Sequence, residues 1–113
     1  DGGPDRGGRG GVTEPELEVI WDPVKARANI AKHGMTFAQA ATVLLDPLAL
    51  TVFEAAHSEV EDRWFTLGMS SAGKLLAVAH TYQPLGPARF RARLISAREA
   101  TRRERVQYEN EAP

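Results

Sequence analysis

The chain has 113 residues, of which 42% are hydrophobic and 26% charged, and its formal net charge is −1. This length favours one domain over two and suffices for a hydrophobic core without disulfides or a structural metal. Cysteine is absent, which excludes disulfides, thiolate metal sites and cysteine nucleophiles and favours a cytoplasmic location. The longest apolar runs, such as LLAVA at 75–79, are too short to cross a bilayer. We therefore expect no contact with membranes.

Glycine and proline dominate the first 16 residues, DGGPDRGGRGGVTEPE, in which Val12 is the single aliphatic side chain. Such a segment cannot bury enough apolar surface to offset the entropy lost on ordering. The composition therefore predicts that residues 1–16 are a disordered tail or a cloning remnant. The remaining residues, 17–113, are predicted to form a single domain.

Local signals in the first half of this domain predict one strand followed by two helices. The β-branched and aromatic run LEVIW favours a strand, and Asp22 supplies a helix cap directly before proline at the first helical position. Gly34 suits the left-handed position that ends such a helix. A capping box of Thr36 and Gln39 opens the second helix. The predicted elements are a strand at 17–21, a helix at 23–33 and a helix from 37 to the Asp46–Pro47 pair.

The second half predicts a β-meander closed by a helix. Turn clusters at 70–73 (SSAG) and 83–87 (QPLGP) separate apolar and aromatic runs, and short turns favour antiparallel pairing. Ser96 and Glu99 form a capping box for a helix to about Asn110. The predicted strands lie at 48–53, 63–69, 74–82 and 88–96. The order β-α-α-β-β-β-β-α indicates an α+β fold, with two N-terminal helices and one C-terminal helix on one face of a small antiparallel sheet.

A row of arginines on the strand at 88–96 is the most informative feature. Arg89, Arg91 and Arg93 alternate with apolar residues, so they share one face at a spacing of about 7 Å, close to that of consecutive nucleotide phosphates. Guanidinium groups bind phosphate bidentately. Residues 89–105 hold seven arginines and two glutamates, a net charge of +5. The alternative is an exposed edge strand that carries charge as protection against aggregation.

Two residues are candidates for proton transfer near this row. His80 lies in an apolar strand, where it is either a satisfied core residue or, if its strand neighbours the arginine strand, a general acid or base. Glu104 lies on the apolar stripe of the last helix, where an unpaired carboxylate is costly. We therefore expect an arginine partner from the sheet, with Arg93 as the first candidate.

Two looser groupings complete the set of candidates. Lys25, Asn29 and His33 are spaced at i, i+4 and i+8, so they can face one groove, although exposure to solvent is the simpler interpretation for Asn29. His57 lies in an acidic loop at 54–62 whose spacing of possible ligands is too loose to indicate a metal site. We therefore expect no metal, and because the sequence lacks phosphate-binding and dinucleotide-binding glycine motifs, we also expect no cofactor.

Three motifs stand out in combination: WDPVKARANIAKHGMTF at 21–37, the Asp46–Pro47 pair and ISAREATRRERVQY at 95–108. Together they resemble the BrnT family, the toxin components of type II toxin–antitoxin pairs. The loop at 83–88 (QPLGPA) departs from the family, in which a shorter, charged turn is expected. The resemblance spans about residues 19–109.

This resemblance implies a RelE-like fold and a ribonuclease activity that blocks translation. It also implies neutralisation by a BrnA-type antitoxin, a DNA-binding protein, so that operator DNA is contacted only through the antitoxin. RNA is then the substrate and the antitoxin the protein partner.

A metal-independent endoribonuclease uses the 2′-OH of its substrate as the nucleophile, so it needs a base, an acid and cations around the phosphorane. The candidate catalytic residues are Arg93, Arg63, His80, His57 and Glu104. The candidate substrate-binding residues are Lys25, Arg91, Arg98, Arg102 and Tyr108.

The alternative function is a non-catalytic module that binds nucleic acid or protein through the basic patch at 89–105. A third hypothesis is a regulatory subunit whose basic surface serves only to receive an acidic antitoxin segment. Sequence alone does not separate these two alternatives.

Overall fold

A computed structural model describes residues 16–55 and 61–111 and folds them into three helices and six strands, which confirms the predicted α+β class. No helix in these two ranges is long and apolar enough to span a membrane. Of the predicted tail, only Glu16 is described, and it begins the first strand. The elements are β1 (Glu16–Ile20), α1 (Pro23–His33), α2 (Phe37–Val43), β2 (Leu50–Phe53), β3 (Trp64–Met69), β4 (Leu75–His80), β5 (Gln83–Gly86), β6 (Arg89–Glu99) and α3 (Arg102–Glu111).

The strands form one mixed sheet in the order β1-β6-β4-β3-β2, and β5 pairs with the first part of β6. The prediction of a purely antiparallel sheet was wrong, because β1 runs parallel to β6 with Leu17 opposite Phe90. The other pairings are antiparallel. A parallel pair needs a long crossover, so it leaves no turn signal in the sequence.

The segment at 83–87 was predicted to be a turn, and the structure corrects this prediction. Residues Gln83–Gly86 form β5, which adds one strand to the predicted order. The reversal into β6 uses Ala88, whose φ of 63° lies in the left-handed region. Pro84 was interpreted as a turn residue, but a strand tolerates proline where its missing N–H faces no partner strand, and β5 pairs with β6 alone.

The start of the last helix was also predicted wrongly. β6 continues to Glu99, so Ser96 lies within a strand, and α3 begins at Arg102. The capping box is instead formed by Thr101 and Glu104. The Glu104 N–H donates to Thr101 Oγ1 (3.1 Å), and the Thr101 N–H donates to Glu104 Oε1 (2.9 Å). Ser96/Glu99 and Thr101/Glu104 both have the spacing of a capping box. Because β6 is hydrogen-bonded to β4 as far as Glu99, only the second pair can begin the helix.

Helices cover both faces of the sheet rather than one face. On one side, α2 buries Phe37 and Val43 against Val78 and Leu94 of the sheet. On the other side, Tyr108 of α3 packs in a second cluster formed by Leu67, Leu75 and Ala77. Successive strand residues point to opposite faces, so each functional side chain on β4 or β6 belongs to either the α1/α2 side or the α3 side.

The predicted boundaries of α1 are confirmed. The Asp22 side chain accepts a hydrogen bond from the Val24 N–H (2.9 Å), and Gly34 ends the helix with a φ of 68°. Inside the helix, Asn29 is buried although solvent exposure was the simpler expectation. Its side chain makes hydrogen bonds to Met35 and to both backbone groups of Ala97 in β6. Asn29 therefore fixes α1 against the edge of β6.

Candidate functional site

The arginine row lies on the α3 side of β6 and is not part of an edge strand. Along this stretch β6 has β1 on one side and β5 on the other, so the interpretation as a charged, protective edge does not apply. Every arginine of the row has a carboxylate partner. The pairs are Arg89–Glu16 (3.5 Å), Arg91–Glu18 (2.9 Å) and Arg93–Glu61.

Two members of the row, Arg91 and Arg93, line an open cavity of about 380 Å³ that we call the Arg93 cleft. Their side chains are 39% and 32% exposed, respectively. Pairing does not exclude a phosphate ligand, because an exposed ion pair contributes only about 0–1 kcal/mol and each guanidinium has five donors. The other lining residues are Ile20, Glu61, Asp62, Thr81, Tyr82 and Gln83.

His80 is not brought together with Arg93. It pairs in register with Leu94, which points into the α1/α2 core, so the imidazole lies on the face opposite the arginine row. The side chain is buried, with Nδ1 2.7 Å from the Thr81 carbonyl oxygen and Nε2 2.7 Å from Thr66 Oγ1. A carbonyl can only accept, so Nδ1 carries the proton and Nε2 accepts from the Thr66 hydroxyl. Both ring nitrogens are thus engaged in the core, which opposes a role in catalysis.

Burial lowers the pKa of His80, and the hydrogen bond to the Thr81 carbonyl opposes this shift only in part. The unfolded chain, with an ordinary value of 6.5, therefore binds a proton at higher pH than the folded protein does. We predict that the free energy of unfolding decreases as pH falls below about 6.5, by at most about 1.4 kcal/mol per pH unit from this residue. Urea titrations from pH 8 to pH 5 will show a shallower decrease for His80→Gln. Equal slopes in the two proteins would contradict the prediction.

Glu104 is paired with Arg98, not with Arg93 as predicted. Arg98 donates two hydrogen bonds to its carboxylate, at 2.8 and 2.9 Å, and stacks over the Phe65 ring. These bonds hold the pKa of Glu104 at about 2. A carboxylate that is held by a bidentate pair and by the capping box is a weak proton acceptor. Arg98 and Glu104 therefore attach α3 to the sheet.

Tyr108 also attaches α3 rather than facing a ligand. Its hydroxyl donates to Asp46 Oδ2 (2.6 Å), and this bond raises the pKa of Tyr108 to about 12. Arg102 is exposed at the start of α3. Arg63 directly precedes β3, and its carbonyl accepts the Glu54 N–H (2.8 Å). The remaining candidate, His57, lies outside the described residues.

A second, smaller cavity separates α1 from β6. This α1–β6 groove, of about 210 Å³, is lined by Lys25, Ala28, Asn29, Lys32, His33, Ile95 and Ser96. The helical spacing of Lys25, Asn29 and His33 correctly predicted that these residues lie together. The described residues that line the groove include no carboxylate, which suits an anionic ligand.

The sequence did not identify Glu61 as a partner of Arg93. It was considered only as part of the acidic loop, and the two residues are 32 positions apart. No local pattern reports a contact of that kind. The sequence missed Thr81 for the same reason. Its hydroxyl accepts a hydrogen bond from the backbone N–H of Arg93 (3.0 Å).

Comparison with known proteins gave a family and a solved structure. A family model described as "Ribonuclease toxin, BrnT, of type II toxin-antitoxin system" matches residues 21–104. The chain is similar to the crystal structure of the Brucella abortus ribonuclease toxin BrnT, with 28% sequence identity and a TM-score of 0.54. The alignment covers 76% of this chain and 99% of that one. None of the curated proteins gives a match.

Proposed function

The chain belongs to the BrnT family of ribonuclease toxins of type II toxin–antitoxin systems, and we propose that it is a metal-independent endoribonuclease that inhibits translation. A BrnA-type antitoxin neutralises it and connects it to operator DNA. The observation that carries the proposal is the pair of half-exposed guanidinium groups, Arg91 and Arg93, in one open cleft.

The chemistry follows from what RNA itself supplies. The 2′-OH attacks the adjacent phosphorus, so the protein must stabilise the additional negative charge on the phosphorane. Arg93 and Arg91 each use one donor in the ion pairs described above, which leaves further N–H donors for phosphate oxygens. Arg93 is the first candidate for stabilising this charge, and Arg63 is a second candidate.

We propose that the α1–β6 groove supplies further cations for the backbone of the substrate. Lys25 and Lys32 of α1 line this groove and provide two cations for substrate phosphates. The same cations suit an acidic antitoxin segment, which would compete with RNA for this surface.

We predict that the purified, antitoxin-free chain cleaves RNA in excess EDTA and leaves 2′,3′-cyclic phosphate ends. Arg93→Ala will reduce cleavage about 100- to 1000-fold, as expected for the loss of one donor to a transition-state oxyanion. It will also abolish growth arrest on expression. The measurement is the cleavage rate of end-labelled RNA, with and without ribosomes.

Lys74→Ala is the matched control, because it removes one positive charge just before β4, whereas Arg93 neighbours the opposite end of that strand. It should cleave like the wild type. If the folded wild-type chain leaves RNA intact in both conditions, the non-catalytic binding module is the better description.

A further inference from the structure

We propose that Glu61 is the general base that takes the proton from the attacking 2′-OH. The inference rests on the proposed ribonuclease function. It adds the general base, which that reaction requires and which the sequence did not identify. It depends on one geometric fact, the contact between the Glu61 carboxylate and the Arg93 guanidinium in the Arg93 cleft.

This contact places a carboxylate beside the position expected for phosphorus. Arg93 Nη2 donates to Glu61 Oε1, which occupies one of the five donors of the guanidinium. The remaining donors can bind phosphate oxygens at the same time. A guanidinium that holds both groups brings the carboxylate within reach of the ribose attached to that phosphate, which is the first requirement for a general base.

The other described candidates are less suitable than Glu61. Both nitrogens of His80 are engaged in the core on the opposite face of the sheet. Glu104 is held by Arg98, with a pKa of about 2. Glu61, by contrast, has a side chain that is 51% exposed and lines the open cleft. Asp62 lines the same cleft, but no described cation binds it.

The proposed step conserves protons and electrons. The Glu61 carboxylate takes the 2′-OH proton while O2′ forms a bond to phosphorus. The P–O5′ bond then breaks, giving a 2′,3′-cyclic phosphate and a 5′-oxygen that takes a proton from water in the open cleft. The hydroxide left behind is neutralised by the proton on Glu61, which returns to its carboxylate form. Arg93 and Arg91 stay protonated and balance the charge on phosphorus throughout.

The test compares the full chain with Glu61→Gln, Glu61→Asp and the matched control Glu109→Gln, an exposed position on α3, on end-labelled RNA in EDTA. Loss of a general base lowers kcat about 100- to 10,000-fold, so we expect Glu61→Gln to fall in this range and Glu61→Asp to be intermediate. Glu109→Gln, with the same change of charge outside the cleft, should stay within about threefold. RNA binding by Glu61→Gln should be as tight as in the wild type or tighter, because one negative charge is removed.

The pH profile separates a base from a residue that only orients Arg93. The acidic limb of kcat/KM in the wild type reports the group that must be deprotonated, and it should disappear in Glu61→Gln. Cleavage by Glu61→Gln within threefold of the wild type, an unchanged acidic limb or an equal loss in Glu109→Gln would each overturn the inference. An inactive wild-type chain, with folding confirmed by its urea midpoint, would instead overturn the ribonuclease function itself.

Discussion

Replacing Asn29 with aspartate will destabilise the protein by about 3–5 kcal/mol, the range for an uncompensated buried charge. The side chain is 6% exposed. Its Nδ2 donates to the carbonyls of Met35 (2.8 Å) and Ala97 (2.9 Å), and its Oδ1 accepts the Ala97 N–H (3.0 Å). Aspartate would place an acceptor where a donor is needed, facing two carbonyl oxygens. Both carbonyls would lose their partner, and a negative charge would enter the core.

Urea unfolding at pH 7 measures this effect, and Asn110→Asp is the control. Asn110 is exposed near the end of α3, so the same chemical change there should alter the free energy of unfolding by no more than about 1 kcal/mol. The loss in Asn29→Asp should also shrink at acidic pH, because burial raises the pKa of a carboxyl group and its protonated form can donate. A midpoint shift no larger than that of the control would show that the side chain does not fix α1.

Asn29 also illustrates what could not be predicted from local patterns. Its spacing with Lys25 and His33 correctly indicated a common groove, yet solvent exposure was the simpler expectation for an asparagine on a polar helix. Its hydrogen-bond partners on the backbone of Ala97 are separated from it by 68 positions in the sequence. By bonding both the N–H and the carbonyl of that residue, the amide acts as a neighbouring strand would act for the edge of β6.

Features that depend on adjacent residues were predicted well. The Asp22 cap, the glycine that ends α1 and the Thr36 cap of α2 each need only a few neighbouring side chains, and the alternation in β6 correctly gave the arginines one face. Predictions were wrong where pairing with a strand distant in the sequence determines the local conformation. The Pro84 segment became a strand because β6 was available to pair with it, and the Ser96 capping box was lost because β4 extends the pairing of β6 to Glu99.

The candidate site divides in the same way. The sequence indicated that Arg91 and Arg93 act together, and the structure places them in one cleft. The sequence could not indicate that the row faces carboxylates of β1 and Glu61, because those contacts depend on the parallel pairing of β1 with β6 and on the position of Glu61 before β3. His80 shows the converse error. Its strand does pair with β6, as the hypothesis required, but successive residues of a strand point to opposite faces, and the imidazole lies on the face opposite the arginines.

The second large effect concerns the ion pair that attaches α3 to the sheet. We predict that Glu104→Gln lowers the free energy of unfolding by about 2–3 kcal/mol at pH 7. The glutamine keeps the length of the capping-box side chain but removes the charge that accepts two hydrogen bonds from Arg98. The pKa of Glu104 falls from 4.5 to about 2 in the folded protein. A carboxyl group whose pKa is lowered by folding contributes its full stabilisation at pH values above its pKa in the unfolded chain. This contribution is lost as the pH falls to its pKa in the folded protein.

The difference in free energy of unfolding between wild type and Glu104→Gln should therefore be constant above about pH 5.5 and shrink between pH 4.5 and pH 2. Glu109→Gln, an exposed change on the same helix, should cost less than about 0.5 kcal/mol. Urea titrations at several pH values give all three curves. If the Glu104→Gln curve runs parallel to that of the wild type down to pH 2, the ion pair adds no stability, and α3 is held by Tyr108 and its bond to Asp46.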